Sequence, residues 1–210
     1  MKKIAFSDKY GLTQAVLEGR KTMTRRIATA LNHPNITDIS EWGIDSNGKA
    51  MLAITYDTGL QNDVYPHFQI GDVVAVAQRY SQIITFNPSA LSKKRLNYYH
   101  VGVENCKYLR GWFNKMFVCA DLMPHRIRIT DIKVERLQDI SDVDAIKEGI
   151  YDANDFLNPG AYTYFGSTNT FKTPREAFAS LIDRISGRGT WERNPWVYAY
   201  SFELVKKEDK

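Results

Sequence analysis

Ten residues near the C-terminus, Trp196 to Val205, put Trp196, Tyr198, Tyr200, Phe202 and Leu204 on one side of an extended chain. A period of two suits a strand and no helix. Five large apolar side chains on one face then require a second layer to cover them. Another long strand is predicted from Arg126 to Leu137, where Ile127 and Ile129 share a face and Ile132 and Val134 take over after a one-residue shift. That shift predicts a β-bulge near Thr130-Asp131. Val73 to Ala77, after Gly71-Asp72, is apolar on both faces and reads as a central strand. Ile4 to Phe6 and Met51 to Tyr56 are shorter strands, the latter following the hairpin signal Asn47-Gly48.

Helices are few and short. One runs from about Asp8 to Glu18, with Leu12, Ala15 and Val16 on one face and Gly19 as its stop. A second opens at Ser141-Asp142 and ends at Gly149. A third has Thr173 as N-cap, Pro174 at the first position and Glu176 two positions on, with Phe178, Leu181, Ile182 and Ile185 as its buried face. These helices do not alternate regularly with the strands, so a doubly wound sheet is excluded. The expected class is α+β: a small mixed β-barrel with peripheral helices, closed by pairing of the first and last strands.

The chain has 210 residues, enough for one domain that buries roughly 70% of its unfolded surface. A single domain over 1–210 is expected, with polar insertions at about 32–50 and 81–118. No apolar run is long enough to span a membrane, and the N-terminus lacks the apolar core of an export signal. Cys106 and Cys119 make no disulfide framework, so a reducing cytoplasm is expected. Neither they nor His33, His67, His100 and His125 have zinc-ligand spacing. No metal and no cofactor are expected. The oligomeric state is not encoded in any pattern.

Net charge is +4, and residues 1–26 alone carry seven Lys and Arg against Asp8 and Glu18. A basic focus on a near-neutral body points to an anionic partner or to a solvated surface. Within it lies Gly19-Arg20-Lys21-Thr22-Met23-Thr24-Arg25-Arg26, read as a loop. It is not a phosphate loop, because Arg20 separates Gly19 from Lys21 and the segment follows a helix. Lys21 and Thr24 are three apart, so one helical turn would bring them together. A lysine desolvated in a pocket can lose its proton and activate a hydroxyl. The alternative is a capping Thr24 among solvated arginines.

Gly19-x-Lys21-x-x-Thr24-x-Arg26 resembles the signature of the ASCH domain family, a relative of the PUA domains. Four further stretches resemble that family in order: Gly71 through Tyr80, Met123-Pro124 through Ile129, Arg136 through Ile150, and Asn194-Pro195-Trp196-Val197 with the closing strand. The resemblance implies a PUA-like barrel whose cleft binds RNA or a modified nucleoside. In some small members it also implies an amidohydrolase acting on N4-acetylcytidine, with a Lys, a Thr and a Glu as the catalytic set. Lys21 and Thr24 match two of these, with Thr24 as nucleophile and Lys21 as its base. The third position is Gln78, and Tyr80 stands where Trp is usual. An amide cannot shuttle a proton, though it can read a base edge. Glu18 and Glu104 are the alternatives for the missing carboxylate.

The leading expectation is therefore a binding module for RNA or a modified nucleoside, using Gly19, Arg20, Lys21, Thr24, Arg25, Arg26, Gln78, Arg79 and Arg126. The rival expectation is the amidohydrolase. Arg126 and Arg128 form a basic stripe or simply the polar face of a half-buried strand. Tyr98, Tyr99, Tyr108, Trp112 and Phe113, interleaved with lysines and arginines, either stack on bases or form the core of an insertion.

Overall fold

The computed structural model describes residues 1–40, 42–86, 110–153 and 159–205. The predicted contributions of Tyr98, Tyr99, His100, Glu104, Cys106 and Tyr108 lie outside them.

The main sheet has five strands: β1 (Lys3–Ile4), β7 (Val73–Val76), β8 (Arg126–Arg136), β11 (Trp196–Val205) and β2 (Met23–Ile27), in that spatial order. β1 runs parallel to β7, and the other pairs are antiparallel. The bulge stands where the apolar phase shifts. Ser201 faces Asp131 and Phe202 faces Ile129, leaving Thr130 as the extra residue. It lets Ile127, Ile129 and Ile132 all reach the core, each at most 4% exposed.

A smaller sheet of β3 (Ile36–Ile39), β5 (Ala50–Tyr56), β4 (Gly43–Ile44) and β6 (Gln61–Val64) packs against this face through Leu52 and Ile54. Residues 36–39 and 43–44, read from sequence as part of a polar insertion, thus supply strands. The turn joining β4 to β5 contains Asn47-Gly48 as expected, with Gly48 at φ 76°. A separate antiparallel ribbon is formed by β9 (Tyr151–Asp152) and β10 (Tyr162–Thr163).

The helices follow their caps. In α1 (Leu12–Leu17), Leu12, Ala15 and Val16 are buried. Tyr80–Phe86 and Arg110–Phe113 form α2 and α3. In α4 (Asp142–Lys147) the Ser141 hydroxyl accepts from Asp144 N–H at 3.1 Å. In α5 (Pro174–Ser186) Thr173 accepts from Glu176 N–H at 3.1 Å. Ile185 departs from its expected burial and is 41% exposed, because the last turn of α5 reaches the mouth of a cavity. A four-residue helix, α6 (Thr190–Arg193), leads into β11.

The expected pairing of first and last strands does not form. Both sides of β11 are occupied, by β8 and β2, and β1 is bound to β7. Among the described residues no ladder joins the two edge strands β1 and β2. A side chain bridges them instead: Arg26 Nη2 donates to Ala5 O at 2.7 Å. The architecture is a mixed α+β fold whose main sheet stays open along that seam.

Candidate active site

The basic run is a short loop followed by a strand. Met23 to Ile27 pair with β11, so Thr24 and Arg26 lie opposite Tyr200 and Tyr198 on one face while Arg25 turns to the other. The loop itself is pinned. Gly19 N–H bonds Val16 O at 3.0 Å, Lys21 N–H bonds Ala15 O at 3.0 Å, and Thr22 N–H bonds Lys147 O at 3.0 Å. Gly19 takes φ 75°, a conformation that side chains resist. Lys21 and Thr24 do share one cavity, but a loop-to-strand corner brings them there, not a helical turn.

That cavity, about 290 Å³, lies between the β2 edge, the segment Ala5–Ser7 and α5. Lys21, Thr24, Arg25, Arg26 and Glu148 line it, with apolar walls from Phe6, Leu12, Phe178 and Leu181. Lys21 is only 2% exposed. Its Nζ donates to Glu148 Oε2 at 2.6 Å and to Glu148 O at 2.7 Å. Two of its three ammonium protons are thereby taken, and one is left without a partner among the described residues. Burial lowers the Lys21 pKa below its ordinary 10.5, against the opposing pull of Glu148. Thr24 is 4% exposed, and its hydroxyl makes no hydrogen bond among the described residues.

Glu148 is the residue that sequence reasoning missed as a functional group. It sits at the end of α4, followed by Gly149 at φ 107°, where a Cβ would come 3.1 Å from Leu12. Its second oxygen, Oε1, accepts from Arg25 Nη1 at 3.2 Å. Arg25 also pairs with Glu135 at 2.6 Å and Asp144 at 3.4 Å. Three carboxylates thus answer Lys21 and Arg25 in a buried network.

The remaining predicted residues scatter. Gln78 is 4% exposed and does not line the cavity, and its Oε1 has no hydrogen-bond partner among the described residues. Arg20 points to solvent and pairs with Glu18 at 2.5 Å, so Glu18 is not the substitute carboxylate. Arg79 pairs with Asp8 at 3.3 Å outside the cavity. Arg126 and Arg128 are exposed on β8, on the face opposite Ile127 and Ile129. Arg26 lies at the cavity's far wall, where its guanidinium and Lys21 Nζ both sit over Phe6, at 5.7 and 5.8 Å. Among the described residues no cluster of His, Cys, Asp and Glu is arranged to hold a metal, and no helix is long and apolar enough to cross a membrane. Comparison of the chain with protein-family models, curated proteins and solved structures finds no match.

Proposed function

We propose that this protein binds a modified nucleoside and hydrolyses an exocyclic amide on it, as the N4-acetylcytidine amidohydrolases of the ASCH family do. One observation carries the reading: a buried lysine, held by a carboxylate, shares a small cavity with a threonine whose hydroxyl has no hydrogen-bond partner among the described residues. Burial penalises the charged ammonium and so favours the amine form of Lys21. The amine form of Lys21 takes the Thr24 hydroxyl proton as Oγ1 attacks the amide carbonyl carbon. The proton passes to the departing amine when the C–N bond breaks, leaving an acyl ester on Thr24. Water then cleaves that ester, releasing a carboxylic acid and restoring the hydroxyl. Glu148 here supplies the carboxylate that Gln78 cannot.

The charge balance favours a nucleoside over an RNA strand. Lys21, Arg20 and Arg25 are engaged by carboxylates, so the basic focus of the sequence is largely neutralised. The fold supports the same proposal. A curled sheet whose edges are bridged by Arg26 is what a PUA-like barrel would be if opened along one seam. A cytoplasmic location accords with such a substrate.

The test is chromatography of N4-acetylcytidine after incubation with the purified protein. Wild type is expected to release cytidine and acetate, and Thr24→Ala to release none. Wild type without turnover would overturn the hydrolase, and a titration with single-stranded RNA at low salt would then examine the binding module.

A further inference from the structure

The small sheet leaves one edge uncovered. Ser40 N–H donates to Ala53 O at 2.9 Å, so at the preceding residue, Ile39, N–H and C=O point away from β5. Among the described residues no strand pairs with β3 on that side. A cavity of about 420 Å³ runs along it instead. All four residues of β3 form one wall, and Arg136 and Trp196, opposite each other on β8 and β11, form another. A neighbouring cavity of about 400 Å³ shares Ile39 and Trp196 with the first and adds Trp42, Lys133 and Val134. Together they make one groove between β3 and the end of the main sheet.

The wall across from β3 is held in place. Asn32 fixes the backbone of Trp196, accepting from its N–H at 2.8 Å and donating to its carbonyl at 2.9 Å. The Arg136 guanidinium lies 4.4 Å from the centroid of that indole, and Nη1 donates to Asn194 O at 3.2 Å. Nε and Nη2 have no partner among the described residues, and Arg136 is exposed. Those two nitrogens form the fork with which a guanidinium takes both oxygens of one carboxylate. Arg136 and Lys133 against Asp38 leave the groove with a positive balance.

We propose that this groove docks an extended peptide segment of another protein, which adds to β3 as a strand and presents a carboxylate side chain to Arg136. The open edge supplies main-chain hydrogen bonds that any sequence can make, and Arg136 supplies the selection. Alternate side chains of the peptide fall on Trp196 and Val134. Nucleic acid fits less well, because it offers phosphates to Arg136 but no backbone ladder to Ile39. The groove shares no residue with the Lys21–Thr24 cavity, so the inference stands apart from the hydrolase reading.

The test is selection of a phage-displayed random heptapeptide library on the full chain, followed by fluorescence anisotropy of the enriched peptides. Those peptides are expected to carry Asp or Glu and to lack a central Pro. Arg136→Gln should weaken their binding at least tenfold. Asp38→Asn, also at an exposed position, removes the opposing charge and should tighten binding roughly two- to fivefold. N-methylation of alternate peptide amides should abolish binding in one phase and be tolerated in the other, because only every second N–H faces β3. No enrichment, enriched peptides indifferent to Arg136→Gln, or methylation tolerated in both phases would overturn the proposal. Oligouridine bound in an Arg136-dependent way, with no peptide enriched, would give the groove to nucleic acid instead.

Discussion

At the scale of single residues, Glu148 is the hinge of the site, because its two oxygens serve Lys21 and Arg25. Glu148→Ala takes from Lys21 its carboxylate partner and leaves Arg25 with Glu135 and Asp144, and is expected to cost about 3–5 kcal/mol in denaturant unfolding. Adding Lys21→Met should recover part of that loss in a double-mutant cycle, since it removes the stranded charge. The depressed Lys21 pKa has its own signature. Between that lowered value and 10.5 the unfolded chain binds more protons than the folded one, so stability rises with pH across the window. Urea midpoints taken from neutral pH to about 10.5 should climb more in wild type than in Lys21→Met. Lys21 and Thr24 were legible in the sequence because they lie in one short run with the right chemistry. Glu148 was not, because its partner is 127 positions away and an ion pair across that distance leaves no local pattern.

At the scale of elements, local signals were enough wherever one residue type does one job. Thr173 caps α5, and Thr173→Ala is expected to lower unfolding free energy by about 1 kcal/mol with an unchanged denaturant slope. The bulge makes a sharper case. Deleting Thr130 removes the extra residue and leaves Ile127, Ile129 and Ile132 in one alternating inward phase, with Phe202 still opposite Ile129. That deletion should keep cooperative unfolding in circular dichroism, as should Thr130→Ala on an exposed residue; loss of cooperativity in the deletion alone would show that the bend of the bulge itself is needed. The apolar phase shift in Arg126–Leu137 made the bulge legible. The strand from Met23 to Ile27 escaped, because its arginines look like solvated loop residues until β11 and the carboxylates pair with them. The strands at 36–39 and 43–44 escaped for a similar reason: both are short and polar, and their pairing with β5 decides them.

At the scale of the whole molecule, strand order was beyond the reach of local pattern. The sequence shows an apolar strand at each end, and only the competition for partners reveals that β11 is filled on both sides and β1 is taken by β7. The open seam that results holds the Lys21–Thr24 cavity, and Arg26 spans it. The same long-range assembly rearranges the charge. A net +5 over residues 1–26 reads as a polyanion site along the chain, yet in the fold Lys2, Arg20, Lys21 and Arg25 each face a carboxylate. Counterion release scales with the number of phosphates neutralised. A protein making 6–10 such contacts loses roughly 10³–10⁵ in affinity between about 50 and 200 mM salt. Ligand binding by this molecule should change by less than about twofold over that range, because the proposed nucleoside carries no phosphate and the cations already have partners. Calorimetric titration with cytidine at the two salt concentrations measures this directly. A steep fall with salt would show that the cations release their carboxylates to a polyanion, and would return RNA to the front as the partner.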